Sequence, residues 1–376
     1  MNIKNTLSIM RFSSILLLLF AFVPDFAFAQ NESKKINGIS IYPPIIDQLT
    51  TDMIASVRTC HVDWVAFIPE ATIDRETLVF RSEKEMDHLG KSTKGSIEGI
   101  SIAKSIGLKV LIKPHIEISA PIPVTETVKE SSILDYFSYA AKEKTFSKKD
   151  KTQGATWRGD FAAANEADWK TWEECYESYM LNWARVADSL SVDMLCVGTE
   201  LKLFVQQRPR FWQQLIKKIK KIYKGPLTYS ANWDEYADVP FWKDLDYIGI
   251  DAYFPISDAE TPTVAQVVAG WKPIAQELKA LSKKYKRQVL ITEFGYRNVS
   301  YAGKEPWTHD KEKTKSNYEA QVNLYEGFFQ TFQQESYISG SFLWQWIVDD
   351  QQPWNTSFSP RGKPAMKVLE KWYGGN

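Results

Sequence analysis

The chain has 376 residues, which is enough for one large domain or two small ones. Acidic and basic residues balance to a formal net charge of zero, which argues against nucleic acid as a partner. Hydrophobic residues make up 44% of the chain, so a sizeable core is expected. The aromatic residues, 14% of the chain, indicate either a large aromatic core or surfaces on which a ligand stacks.

The first 29 residues have the pattern of a secretory signal peptide. A basic start precedes an apolar run over residues 15–23, and the small residues Ala27 and Ala29 lie just before a cleavage point at Gln30. The apolar run is too short to span a bilayer comfortably, and the sequence has no second such run. We therefore expect export to the periplasm or the outside, no stable membrane anchor, and a mature domain over residues 30–376.

Cysteines and histidines give no sign of a disulfide framework or a metal site. Cys60, Cys175 and Cys196 are widely spaced, which favours buried packing. The four histidines lack metal-ligand spacing, and the motifs of zinc peptidases, nucleotide-binding proteins and serine hydrolases are absent from the sequence. We expect no metal and no cofactor.

Strand and helix patterns alternate along the chain. The predicted strands cover residues 36–41, 63–68, 108–115, 194–200, 227–233, 247–253, 288–293 and 338–346. The predicted helices cover residues 47–59, 96–106, 169–190, 210–223, 264–284, 313–332 and 363–372. The stretch at 69–94 is polar and is predicted to be irregular.

Eight strands, nearly all followed by a helix, predict a single-domain α/β protein with the (β/α)8 TIM-barrel fold and a long insertion after strand 3. No linker rich in Pro, Gly or Ser divides the chain. The structural alternative is a doubly wound sheet, which would concentrate its ligand at one switch point. Polar residues and tryptophans occur at nearly every predicted strand end, which favours the barrel.

Two of the predicted strands end in a glutamate, Glu200 and Glu293. An unpaired buried charge is costly, and in a parallel barrel the carboxyl ends of the strands carry the catalytic residues. A solvated residue at the start of a loop would explain one such glutamate, but two favour a catalytic pair. Glycoside hydrolysis requires two carboxyls of this kind, one protonated and one ionised.

The two glutamate strands resemble those of clan A glycoside hydrolases. Residues 111–115, 157–160, 248–255 and 342–346 together resemble glycoside hydrolase family 113, and residues 359–365 fit as well. The resemblance covers residues 36–373. It implies a retaining endo-β-1,4-mannanase that acts on β-mannan or a related oligosaccharide or polysaccharide, and we expect a monomer.

The resemblance also implies roles for individual residues. Glu200 matches the acid/base and Glu293 the nucleophile, while Trp344 matches the aromatic floor under the reacting sugar and Tyr253 a tyrosine that orients the nucleophile. One position departs from the clan pattern. Thr199 stands where many members have an asparagine that holds the sugar 2-hydroxyl, and Asn232 at the next strand end is a candidate to replace that contact.

Three further residues are predicted to bind substrate because they lie at or near the mouth of the predicted barrel: Lys113, His115 and Trp157. Each also has an ordinary structural explanation, since a lysine at a strand end extends to water and a lone histidine is usually a satisfied structural residue. Asp251 is expected to hold a neighbouring side chain rather than sugar.

Residues 116–168 are too many for an ordinary connection. They predict either a wall beside the cleft that limits how much polymer can bind or a surface excursion away from it. Two other functions also remain open. One is a different clan A β-glycosidase, such as an exo-acting mannosidase or a β-glucan hydrolase. The other is a non-catalytic sugar-binding barrel, which would be expected to have lost one glutamate.

Overall fold

A computed structural model describes residues 34–42, 49–75, 78, 80–82, 92–119, 157–308, 315–348 and 356–375. The predicted signal peptide lies outside these residues. So does most of the long segment after the third predicted strand, and with it the question of whether that segment forms a wall beside the cleft.

The described residues contain eleven strands, eight of which close into a parallel barrel. In chain order the strands are β1 (Ile36–Tyr42), β2 (Trp64–Phe67), β3 (Glu70–Asp74), β4 (Phe80–Ser82), β5 (Lys109–Ile112), β6 (His115–Ser119), β7 (Met194–Thr199), β8 (Leu227–Asn232), β9 (Ile248–Asp251), β10 (Val289–Phe294) and β11 (Ile338–Ile347). The barrel order is β1-β11-β10-β9-β8-β7-β5-β2, and β1 pairs with both β11 and β2. This closed ring confirms the (β/α)8 prediction over the doubly wound alternative.

Helices follow most of the barrel strands. They are α1 (Thr51–Ala55), α2 (Thr93–Ser105), α3 (Glu166–Ser189), α4 (Lys202–Gln207), α5 (Pro209–Ile222), α6 (Val264–Tyr285), α7 (Tyr318–Phe332) and α8 (Met366–Gly374). Side chains cap several of their N-termini, as at Ser92, Asn165, Thr263 and Asn317, where a side-chain oxygen accepts a backbone N–H of the first turn. In the part of the chain that the structure describes, no helix combines the length and apolarity needed to cross a membrane.

The single strand predicted over residues 108–115 is wrong, because the chain forms two strands there, β5 and β6. Pro114 has no N–H to donate, so the chain leaves the barrel there and continues as β6. That strand runs parallel to β3, which pairs on its other edge with β4 in a three-stranded sheet. Residues 69–94 were therefore wrongly predicted to be irregular throughout, because β3 is recognisable only through its distant partner.

Two clusters of apolar side chains fill the structure. The larger lies where the outer faces of the strands meet the helices, and it includes the aromatic stripe of α3 that the sequence predicts. The smaller draws one or two residues from six barrel strands: Ile36, Trp64, Ala66, Leu111, Met194, Cys196, Leu290 and Phe342. Because these alternate along their strands with residues of the larger cluster, they fill the barrel interior.

Irregular pairing occurs where the two glutamate strands approach the barrel mouth. Between β10 and β9 the register shifts between Ile291 and Glu293, and between β7 and β8 it shifts between Cys196 and Thr199. An extra residue in one strand changes the direction of the side chains that follow it. Both glutamates thus follow a shift in register at the carboxyl end of the barrel.

Candidate active site

Glu200 follows β7 directly and has a left-handed backbone conformation, with φ of 54°. This conformation is uncommon for a residue with a side chain and persists only where surrounding contacts impose it. One such contact is the Glu200 N–H, which donates to the Ser230 carbonyl of β8 over 2.8 Å. The side chain is 14% exposed, so its carboxyl remains accessible.

Glu293 lies in β10 among several hydrogen-bond donors. The Lys113 ammonium group donates to its Oε1, and the Tyr253 hydroxyl donates to its Oε2 over 2.8 Å. His115 Nε2 is 3.7 Å from Oε1. Both carboxyl oxygens therefore accept hydrogen bonds, which is the environment of an ionised carboxylate.

Lys113 has no exposed side-chain surface, and its ammonium group is shared between two carboxylates. Besides Glu293 it donates to both oxygens of Asp251, over 3.0 and 3.2 Å. Asp251 also accepts from the Ser230 and Thr292 hydroxyls, over 2.6 and 2.9 Å. The expectation that Asp251 holds a neighbouring side chain is confirmed. Lys113 acts on Glu293, since no part of it is accessible to a sugar.

The two glutamates influence each other electrostatically. Burial and the Asp251 carboxylate raise the pKa of Glu293 to about 7 against the opposing effect of Lys113, and Glu200 raises it further. Burial also raises the pKa of Glu200, with Arg158 opposing. Burial lowers the pKa of Lys113, but Asp251 and Glu293 more than compensate and raise it overall. The glutamates titrate as a pair, and Lys113 stays charged.

A short turn carrying Trp157 and Arg158 supports Glu200. Trp157 and Arg158 both oppose the rise in the pKa of this carboxyl, and Arg158 Nε is 3.6 Å from its Oε2. The Trp157 ring covers Gly159 so closely that a Cβ there would lie 2.3 Å from it. Sequence reasoning found Trp157 but missed Arg158, whose partner is more than forty residues away in the chain.

The remaining predicted residues line the mouth at other strand ends. Trp344, half-buried on β11, stacks parallel to His115, with centroids 6.3 Å apart and planes 7° from parallel. Asn232 directs its amide to Asp234 over 2.9 Å, and Thr199 is buried with its hydroxyl 3.4 Å from the Pro114 carbonyl. The structure thus gathers Lys113, His115, Trp157 and Tyr253 around the two glutamates, whereas the side-chain amide of Asn232 donates within its own loop.

Aromatic side chains also occupy the loops after β8 and β10. Trp233 stacks on Trp307, with centroids 5.3 Å apart and planes 15° from parallel, and Trp233 also packs against Phe254. Trp307 is 42% exposed and Trp157 38%. Broad apolar faces that remain in solvent on the loops of a barrel mouth are suited to stacking on a ligand.

Within the described ranges, no cluster of His, Cys, Asp and Glu side chains could hold a metal ion. The chemistry available to these side chains is that of two interacting carboxyls. One is surrounded by hydrogen-bond donors and the other is partly exposed.

The sequence matches the family model of Glycoside Hydrolase Family 113 over residues 150–363, more than half of the chain. A comparison with curated protein sequences finds no match.

Solved structures of known hydrolases share the fold. A GH113 β-1,4-mannanase, solved as a complex, is 21% identical with a TM-score of 0.71, over 92% of this chain and 100% of that chain. The GH113 β-mannanase from Alicyclobacillus acidocaldarius in complex with ManMIm is 20% identical with a TM-score of 0.70, over 91% and 98%. A β-glucuronidase from Faecalibacterium prausnitzii is 13% identical with a TM-score of 0.56, over 90% of this chain and 49% of that chain. At sequence identities this low, the structural similarity establishes the fold and nothing beyond it.

Proposed function

The chain belongs to glycoside hydrolase family 113, and we propose that it hydrolyses β-1,4-mannosidic bonds in mannan or glucomannan by double displacement. The observation that carries this proposal is the pair of interacting glutamates at the ends of β7 and β10, held by different partners. Three strand steps separate β7 from β10 in the barrel order, so their ends flank the mouth from different sides.

The proposed division of labour follows from the hydrogen bonds. Near neutral pH, Lys113 and Arg158 face three carboxyls, those of Asp251, Glu200 and Glu293, so the site retains a proton. Glu293 accepts from donors on both oxygens, which favours its ionised form. The proton accordingly lies on the partly exposed Glu200, which makes Glu200 the acid/base and Glu293 the nucleophile.

The reaction then has two steps. The Glu293 carboxylate attacks the anomeric carbon while the bond to the leaving oxygen breaks and Glu200 gives that oxygen its proton. A water oxygen next attacks the same carbon, Glu200 takes the proton from the water, and Glu293 leaves as the carboxylate. Two inversions retain the configuration. Lys113 and Tyr253 orient Glu293 and stabilise its charge whenever it is free.

Family membership and the exposed aromatic rings support a polysaccharide substrate. In this proposal Trp344 and His115, which stack on each other, contact the sugar that reacts, and the exposed rings of Trp307 and Trp157 contact sugars beyond it. Reducing-sugar release from mannan, glucomannan, cellulose and xylan tests the substrate. Mannan and glucomannan should be the best substrates, and a preference for cellulose would instead favour the β-glucan alternative.

The roles of the glutamates are tested with aryl β-glycosides whose leaving group needs no protonation. Glu200→Ala should retain formation of the covalent intermediate on these substrates, and azide should accelerate turnover and yield the β-glycosyl azide, because azide needs no general base. Glu293→Ala should lose turnover on every substrate and give no azide product of retained configuration. An inactive Glu200→Ala without any azide response would show that the roles are assigned wrongly.

We also propose that the protein is exported after removal of residues 1–29. The proposal is supported by the basic, apolar and small-residue regions of that segment. The N-terminus of protein recovered from outside the cytoplasm should be Gln30. Recovery of the intact chain from the cytoplasm alone would contradict it.

A further inference from the structure

We propose that Glu235 is a positioning residue that holds the acid/base Glu200 in place through the Tyr229 hydroxyl and the backbone amide of Leu201. This inference rests on the role proposed for Glu200. It adds a buried carboxyl that does not touch the reacting atoms and that no sequence motif indicated.

Two hydrogen bonds connect Glu235 to the chain beside Glu200, and a third joins Glu235 to the end of β8. The Leu201 N–H donates to the Tyr229 hydroxyl over 2.7 Å, and that hydroxyl donates to Glu235 Oε1 over 2.9 Å. The Asn232 N–H donates to the same Oε1 over 3.0 Å. Leu201, Tyr229 and Glu235 are buried, and only the strand-end Asn232 is not. The bonds among the buried residues are therefore shielded from competing water.

Leu201 directly follows Glu200, so this chain of hydrogen bonds acts on the backbone beside the acid/base. Glu200 has the left-handed backbone conformation, and its own N–H is fixed to Ser230. The next N–H, that of Leu201, is fixed to Tyr229. Strand β8 therefore holds the peptide groups on both sides of Glu200, and loss of the second contact would let the carboxyl shift.

Glu235 is suited to this role as a neutral acid. Its Oε2 is buried and has no hydrogen-bond partner in the described part of the chain, whereas Oε1 accepts two bonds. Burial raises the pKa of Glu235 to about 8 against those two bonds, with Glu200 and Asp234 raising it further. A proton on Oε2 leaves Oε1 as a carbonyl-like acceptor, which a glutamine can reproduce.

The first test compares two Tyr→Phe variants. Tyr229→Phe removes the acceptor for Leu201, and Tyr236→Phe is the matched control, because the Tyr236 hydroxyl donates to Glu277 over 2.7 Å without contacting the loop of Glu200. The measured quantity is kcat/KM on aryl β-glycosides of whichever sugar the wild type hydrolyses. A leaving group that needs the acid is compared with one that does not.

A displaced acid predicts a loss that depends on the leaving group. Tyr229→Phe should lower kcat/KM by about tenfold or more where protonation is needed and leave it nearly unchanged where it is not, since small displacements of catalytic groups have effects of this size. Tyr236→Phe should change kcat/KM only slightly, and by the same factor for both kinds of leaving group. Equal losses of Tyr229→Phe on both leaving groups would overturn the proposal.

The second test asks whether glutamine restores the function of Glu235. Glu235→Ala should show the same dependence on the leaving group as Tyr229→Phe, and Glu235→Gln should recover most of the loss. If the glutamine and alanine variants are equally impaired, a neutral acceptor is insufficient and the proposal is wrong. Glu200→Ala serves as the reference: if it shows no dependence on the leaving group, the proposed function fails. If only Glu200→Ala shows it, the positioning role fails.

Discussion

At the scale of single residues, the site is organised by buried charges whose partners are far apart in the sequence. Lys113 donates hydrogen bonds to both Asp251 and Glu293, so one positive charge is shared by two carboxyls. Removing one partner of a buried ionic group generally costs more than the group contributes when intact, because a desolvated charge remains. The three residues therefore act as one unit, and Glu293 depends on both of the others.

The pH dependence of catalysis follows from the interaction of the two glutamates. Activity on natural substrates should rise with pH as Glu293 ionises and fall as Glu200 loses its proton, which gives a bell-shaped profile. Glu200→Gln should remove the alkaline limb on activated aryl glycosides. It should leave the acidic limb in place, because Glu200 is still protonated where Glu293 ionises and a glutamine is likewise neutral. Both limbs are measured from the pH profile of kcat/KM.

Retention of the alkaline limb in Glu200→Gln would identify a different acid. A large shift of the acidic limb to lower pH would show that Glu200 is charged while Glu293 ionises, contrary to the roles assigned to them. Glu277→Gln, at an exposed carboxyl away from the site, is the control and should leave both limbs unchanged.

At the scale of elements, the loops after the barrel strands carry the aromatic faces. Trp307 lies after β10 and Trp233 after β8, so their stacked pair bridges two loops across β9. The buried side of the pair packs on Phe254, while Trp307 remains 42% exposed. Such a face is available for a sugar ring beyond the reacting pair.

Trp307→Ala should accordingly weaken the use of polymer without affecting the chemical step. We expect KM for mannan to rise by about fivefold to tenfold, which corresponds to roughly 1 kcal/mol for an aromatic contact. The kcat/KM for a short activated aryl glycoside should remain within about twofold, since the acid and nucleophile are untouched. Equal losses on polymer and short substrate would show that Trp307 supports the fold of the mouth instead of a sugar.

The elements also show how far the sequence predicts this structure. Eight strands and their helices could be recognised because apolar periodicity is local, and Glu200 and Glu293 could be found because a carboxylate after a buried strand is unusual. The sequence missed β3 and β4, because a short strand in a small sheet is defined by its partners. It missed the Arg158 and Glu235 contacts for the same reason, since each depends on a side chain or loop brought close only by folding.

At the scale of the whole molecule, buried carboxyls couple the stability of the fold to pH. Burial raises the pKa of Glu235 to about 8 and that of Glu293 to about 7, from a usual value of 4.5. At a pH between 4.5 and these raised pKa values, the folded chain still binds protons that the unfolded chain has released. The free energy of unfolding should therefore fall as the pH rises from about 4.5 to about 8.

One partly buried carboxyl has the opposite effect, but in a different pH range. Burial raises the pKa of Glu326, and hydrogen bonds from Lys371, Gln330 and Trp372 more than offset this and lower it overall. Its contribution is present above the usual value of 4.5 and is lost only as the pH falls below it. The change in stability between pH 5 and pH 8 therefore comes from the carboxyls whose pKa is raised and not from Glu326.

Glu235→Gln isolates the contribution of Glu235 to this dependence. The amide cannot ionise and still offers an oxygen to Tyr229 and Asn232, so the variant should lose less stability than the wild type between pH 5 and pH 8. The difference should be on the order of a few kcal/mol, because each unit of pKa shift corresponds to about 1.4 kcal/mol. Urea unfolding at a series of pH values measures it, with Glu277→Gln as the control at an exposed carboxyl. Parallel curves for the wild type and Glu235→Gln would mean that Glu235 is ionised in the folded protein at neutral pH. The same result would remove the neutral acceptor from the chain of hydrogen bonds that leads to Glu200.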